Sequence, residues 1–260
     1  MYRAAAVIGI ILAIVVVGPI LVSHDPGRTD AAQQLQPPSR THPMGTDLLG
    51  RDVLSRYLHG GRQALMTAVT ATVLTMVTGT ALGLVSVAGL KGTDTLLMTV
   101  INALLAVPGI VLALVVLAAV GRGTLPLSLS IGLSLIAPTV VVIRAAILSV
   151  NSQTYVEAAR ALGASRLRVL TLHILPNISP TLAAYTGIVF GYALLNGAAL
   201  TFLGVGHVPG TPDWGVMLAE GRAVFRTAPW IGIAPGLTIA ALVWAANELG
   251  DRLAHQHFSS

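Results

Sequence analysis

Cysteine is absent from all 260 residues, lysine occurs once, and aromatic side chains make up 5% of the chain. Without cysteine there is no disulfide, no thiolate nucleophile and no cysteine-held zinc or iron–sulfur centre, and the redox compartment stays open. Charge is scarce too: 10% of residues are Asp, Glu, Lys or Arg, against roughly 25% in a soluble domain. The formal +5 comes from fifteen basic and ten acidic residues, the basic ones scattered instead of gathered in a stripe, so no nucleic-acid partner is indicated. A phosphate-binding loop would need Gly-x-x-x-x-Gly-Lys-Ser/Thr, and the sole lysine, Lys91, stands between Leu90 and Gly92. His-Glu-x-x-His and Gly-x-Ser-x-Gly are missing as well, so neither a zinc peptidase nor a nucleophile-elbow hydrolase is supported. His255 and His257 could hold a metal at the tail, against the plainer reading of a solvated tail.

What is present is apolar, 54% of residues with a mean hydropathy of +0.80. The charge-free runs are Ala4–His24, Gln63–Leu90, Thr95–Gly121, Gly123–Ile143, Val169–Pro212 and Thr227–Asn247. Each reaches the roughly 20 residues that a membrane span needs. Pro176-Asn177-Ile178-Ser179-Pro180 and the Gly/Pro-rich 204–210 trim the fifth run to one span. The expected fold is all-α and polytopic, with six transmembrane helices whose cores are 4–22, 65–89, 95–119, 125–148, 181–203 and 229–248. An even count puts both termini on one side. The first run is longer than a signal-peptide core and no small-x-small site follows, which favours an uncleaved span. Seven basic residues on one side against eight on the other leave the orientation open.

Three segments lie between spans. In 24–62, Leu49, Val53 and Tyr57, with Leu54 and Leu58, make one apolar helical face opposite Arg51, Ser55 and His59, which predicts a helix lying on the membrane surface or a solvated cover. Residues 204–228 form a Gly/Pro-rich loop on the same side. Residues 150–180 predict two short helices. The first has Glu157 in its opening turns and ends at Gly163, which can take the left-handed conformation. The second starts from Ser165 as N-cap and stops at Pro176, with Leu167, Leu170 and Ile174 marking its membrane or core face and Arg166, Arg168 and His173 pointing elsewhere. The small side chains of Ala158, Ala159 and Ala161 would let another protein approach closely, or merely reflect an alanine-rich chain. Asn102, Asn196, Pro108-Gly109, Pro126 and Pro138 interrupt the spans and serve either helix packing or a passage; Gly79/Gly83, Gly187/Gly191 and Gly232/Gly236 fit packing.

Glu157-Ala158-Ala159, then Gly163, then Leu175-Pro176, in a loop between two spans, resembles the Glu-Ala-Ala signature of ABC-importer permeases. Thr41–Arg56, Phe202–Gly206, Pro212–Arg222, Ala228-Pro229-Trp230 and Asn247–Leu253 resemble the C-type permease subunits of dipeptide, oligopeptide, nickel and glutathione importers. The likeness covers about residues 40–253; the ending Ala254–Ser260 departs from the family's Asp-Pro.

The resemblance implies a type I importer permease fold. Its parts would be a first span and extracytoplasmic amphipathic segment over 1–62, a five-helix core over 63–253 with a cytoplasmic coupling loop at 150–179, and a tail at 254–260. It implies ATPase coupling through Glu157, Ala158, Ala159, Gly163, Leu175 and Pro176, with 154–175 moving as a rigid lever. The implied partners are a homologous B-type permease subunit, two ABC ATPase subunits or domains, an extracytoplasmic binding protein, membrane lipid and a peptide substrate. No cofactor would be bound by this chain, ATP and magnesium belonging to the ATPases. The implied location is the bacterial inner membrane with both termini cytoplasmic. Nickel or glutathione import is the alternative within the family, and a membrane scaffold or intramembrane enzyme the alternative outside it.

Overall fold

The computed structural model describes residues 2–22, 24–87, 92–208 and 210–258. Lys91 and the side chains of His255 and His257 lie outside the described residues. Among the described residues ten α-helices follow one another: α1 (Tyr2–Leu21), α2 (Val53–Val87), α3 (Thr93–Leu105), α4 (Gly109–Val120), α5 (Thr124–Asn151), α6 (Thr154–Ala161), α7 (Arg166–Val169), α8 (Leu175–Phe202), α9 (Trp214–Ala223) and α10 (Trp230–Phe258). Among the described residues, five uninterrupted helical stretches are long and apolar enough to cross a membrane, and α3 with α4 forms a sixth candidate bent by 94°. Helices dominate because lipid offers backbone amides no other partner. Hydroxyls within the spans follow the same rule: Thr72, Thr78, Ser130 and Thr139 each donate to a carbonyl one turn back.

The bundle is centred on α2 against α5 and α8 against α10. A methyl group at Gly79 would sit 2.5 Å from Thr139 Cγ2, and one at Gly187 would sit 2.4 Å from the Ala246 carbonyl oxygen. Gly79, Gly83 and Gly187 therefore serve packing within the chain, where their missing side chains let neighbouring helices approach, whereas a methyl group at Gly232 or Gly236 would meet Leu218 Cδ2 at an ordinary 3.8 or 3.5 Å. Thr75 Oγ1 adds a bond across the first interface, donating to the Gly132 carbonyl at 2.9 Å.

Two expectations are corrected. The single span over 95–119 is broken, because Pro108 has no N–H to continue the helix and disfavours helical geometry at Val107 before it. The amphipathic surface helix does not exist as a separate element, since its residues open the 35-residue α2. Val53 and Leu58 are buried as expected, but Arg51 and Ser55 on the supposed polar face are buried too, and Leu49 is exposed.

The reason is a four-charge cluster. Arg51 Nε lies 2.7 Å from Asp47 Oδ2 and its Nη2 lies 2.9 Å from Glu220 Oε1. Arg56 Nε lies 3.2 Å from Asp47 Oδ2 and its Nη2 lies 3.0 Å from Glu220 Oε2. Two cations and two anions alternate, which makes their burial tolerable. Glu220 belongs to α9, so the cluster ties the segment before α2 to the loop before α10. Indole hydrogen bonds reinforce the tie, with Trp214 Nε1 donating to the Tyr57 carbonyl at 2.9 Å and Trp230 Nε1 to the Thr46 carbonyl at 3.2 Å. Asp213 caps α9 by accepting from Gly215 N at 2.8 Å, and Thr201 Oγ1 donates to the same oxygen at 2.6 Å.

Removing one member of such a cluster strands the others. Glu220→Ala is expected to cost about 3–5 kcal/mol, read as a lowered unfolding midpoint of the purified chain in detergent. The pair Arg56→Met with Glu220→Leu should cost less than the sum of its singles.

Candidate functional site

The loop between α5 and α8 is an ordered structure built on an apolar plug. Val156, the buried residue of α6, packs with Ile143 and Ile147 of α5, Val169 of α7, Ile174 and Ile178, while Met76, Leu84 and Val87 of α2 close the other side. That single inward side chain fixes α6 with its remaining surface outward. Glu157 and Ala158 are exposed and Ala159 is half-buried. Glu157 lies in the first turn, where the helix dipole favours an anion.

The helix ends as the sequence predicts. Gly163 adopts φ +87°, its N–H donates to the Arg160 carbonyl at 2.9 Å, and Ala164 N donates to the Ala159 carbonyl at 3.0 Å. This pair of bonds is the Schellman arrangement, which needs a left-handed residue where glycine carries no penalty. Two residues later Ser165 Oγ caps the next helix by accepting from Arg168 N at 3.3 Å. Leu162 and Leu167, on either side of this turn, are 89% and 70% exposed. Two large apolar side chains beside a bare alanine helix offer a protein partner contact area without charge.

The second half departs from expectation. No helix stops at Pro176: α7, a π-helical segment at Leu170–Ile174 and α8 run on as one continuous helix from Arg166 to Phe202. Pro176 follows directly on the π turn closed by Leu175 N donating to the Leu170 carbonyl, so the continuous helix passes through the proline at the point where it changes period. Pro180 leaves the Pro176 carbonyl without its usual donor, and Ser179 Oγ supplies one at 2.8 Å. Of the expected membrane or core face, Ile174 is buried and Leu170 packs on the plug, Leu167 is exposed, and Val169 is buried in addition. Val169 and Ile174 are five residues apart and flank the π segment, which shifts the helix out of the phase that α-helical counting assumes.

Glu157, Ala158, Ala159 and Gly163 thus share one short helix and its turn, while Leu175 and Pro176 stand at the π-to-α junction of the next. The Tyr155 and His173 rings, with centroids 6.1 Å apart, bring the start of α6 beside that junction. Arg160 Nη2 donates to Asn151 Oδ1 and holds α6 to the end of α5. Leu162 is not singled out by the sequence reading, although a leucine on each side of a Gly-x-Ser turn is a legible sign.

Membrane-length helices carrying a short, outward-facing helix on an apolar base define a polytopic helical membrane protein. The chain belongs to the family of binding-protein-dependent transport system inner membrane components, which matches residues 76–256. A protein of Brucella suis biovar 1, provisionally named a peptide transport system permease, is 38% identical over 259 residues, covering 97% of this chain and 87% of its own length. The di/tripeptide transport system permease of Pseudomonas aeruginosa is 35% identical over 90% of this chain and 80% of its own. The glutathione transport system permease of Pectobacterium atrosepticum is 36% identical over 83% and 72%. The crystal structure of an amino acid ABC transporter with histidines matches the fold with a TM-score of 0.62 at 17% identity, covering 77% of this chain and 94% of that one.

A methyl group at Gly163 would meet no atom within 4 Å, so a substitution there tests backbone conformation alone. Gly163→Val is expected to destabilise the turn by about 1–3 kcal/mol, read as faster hydrogen exchange over 154–164. Gly163→Asn should lie close to wild type, because Asn tolerates the left-handed region.

Proposed function

We propose that this chain is the permease subunit of an ATP-driven ABC importer for di- and oligopeptides, and that α6 with its Gly163 turn couples it to cytoplasmic ATPases. The observation that carries the reading is the exposed Glu157-Ala158-Ala159 helix held by Val156 and ended by a fully bonded glycine turn. A rigid, outward element on a chain that lacks an ATP-binding loop suits a receiver of force from another subunit. Names of relatives support the cargo: peptide, di/tripeptide and glutathione permeases, glutathione being itself a tripeptide. In this reading a B-type permease completes the pathway, two ATPases hold ATP and magnesium, and a binding protein delivers substrate from outside. Both termini and 150–179 face the cytoplasm, and 24–62 and 204–228 face outward.

The break between α3 and α4 supports a pathway on this side of the subunit. Asn102, Val107, Pro108 and Gly109 are exposed on the chain alone. Irregular backbone at membrane depth persists where protein or a water-filled cavity covers it, and not against lipid. A partner permease and the passage between the two subunits provide that cover. Uncharged surroundings suit cargo of varied side chain, since a fixed buried charge would favour one peptide and repel another.

Two experiments test the reading. Single cysteines at Ser39 and Ser165, clean in a chain without native cysteine, should label from opposite sides of intact cells with an impermeant reagent, Ser39→Cys from outside; the reverse pattern inverts the orientation. Reconstituted with its partner permease and ATPases, the subunit should show ATP hydrolysis stimulated by peptide-loaded binding protein, and Gly163→Val should lose that stimulation while still assembling. Stimulation by nickel-loaded but not peptide-loaded protein would overturn the cargo.

A further inference from the structure

Between α4 and α5 the chain turns through Gly121-Arg122-Gly123. Gly121 has φ 99° and ψ −170°, and Gly123 has φ 134° and ψ 173°, a region of backbone conformation that is essentially confined to glycine. Both ends of the turn are bonded. Gly121 N donates to the Leu117 carbonyl at 2.9 Å, and Gly123 N donates to the Gly206 carbonyl of the loop after α8 at 3.0 Å. Arg122, between them, is exposed, and among the described residues it forms no ion pair and no side-chain hydrogen bond. It borders a cavity of about 500 Å³ whose other walls are Leu114, Leu117, Ala118, Gly121 and Val205. A single cation thus stands against an otherwise aliphatic lining. The Ala118 carbonyl, in the last turn of α4, accepts no hydrogen bond among the described residues. Leu114, Leu117 and Ala118 belong to the helix that follows the break at Pro108.

We propose that this cavity binds the C-terminal residue of a peptide, with Arg122 holding its carboxylate. The planar guanidinium fork matches a carboxylate in geometry as well as in charge. Peptides of varied side chain share that one anionic group, so a single arginine recognises the class without choosing a sequence. The amide N–H of the same residue supplies a donor for the Ala118 carbonyl, and its side chain lies against Leu114, Leu117 and Val205. A phosphodiester headgroup would bring the charge without that donor. The glycine-only backbone adds a separate argument, since conformations of this kind gather where a binding group must be held in place, and a merely solvated arginine needs no such support. The inference rests on the peptide reading of the cargo.

The chain has no native cysteine, so Ala118→Cys gives the cavity wall a single thiol whose alkylation reports on occupancy. The full chain in detergent is treated with a water-soluble maleimide in the presence of dialanine, dialanine amide or glycerol 3-phosphate. Dialanine should slow alkylation, with half-protection at about a tenth of the concentration that its amide requires, the ratio expected for a hydrogen bond to a charged group. Arg122→Gln should bring acid and amide to the same concentration, and Arg122→Lys should keep part of the difference. Gly121→Ala leaves the charge in place but cannot hold the turn, and it should lose the preference too. Absence of protection by dialanine, equal protection by acid and amide, or a preference that survives Arg122→Gln overturns the proposal. Equal protection by glycerol 3-phosphate overturns it as well and assigns Arg122 to phosphate groups. Binding is read here without transport, so a site that fails leaves the stimulation by peptide-loaded binding protein untouched, and a cargo reading that fails leaves the protection pattern standing.

Discussion

A peptide group in lipid has no water to bond, and nearly every feature of this subunit follows from that shortage. It makes the spans helical and turns the threonine and serine hydroxyls back onto their own helices. It also decides which irregularities survive. Pro180 is accommodated because Ser179 replaces the lost donor. At Pro108 the repair comes from the backbone itself, with Val107 N donating to the Leu104 carbonyl at 3.2 Å and Val111 N to the Pro108 carbonyl at 2.9 Å. It is made by bending the chain, which leaves the break exposed on the isolated subunit.

The two ends of the bundle are held by different forces. At the outer end, by the topology proposed here, Arg51, Arg56, Asp47 and Glu220 form a closed ring of charge. Such a ring is specific because each member is costly to leave alone. At the other end the restraints are mostly neutral, an isoleucine and valine plug, a glycine turn and a serine cap, with Arg160 donating to Asn151 as the charged exception. They leave Glu157 and Arg168 turned to the surroundings.

Legibility in the sequence followed the range of the interaction. Gly163 and the Ser165 cap were readable because their partners lie within five residues. Span positions were readable because exclusion of charge is a local property. Arg51 and Ser55 were misassigned to a polar surface because hydropathy counts a side chain without its partner, and the partner of Arg51 stands 169 positions away at Glu220. The buried face of the second loop helix is only partly legible, since the π segment changes the period on which the count depends. Pro176 usually marks a stop; here the π turn before it lets the helix continue.

The length of α2 has a mechanical consequence. At about 1.5 Å per residue, its 35 residues form a rod of roughly 52 Å, against the roughly 30 Å thickness of a hydrocarbon core. One tip carries Arg56, and the other, Val87, packs on the plug beneath α6. A single helix therefore joins the charge ring to α6, and a tilt imposed at one tip is delivered at the other. Thermodynamics then requires reciprocity: by whatever factor an outer ligand changes the affinity of an inner one, the inner changes the outer. The helix carries news in both directions at equal strength, and neither face of the membrane is merely the listener.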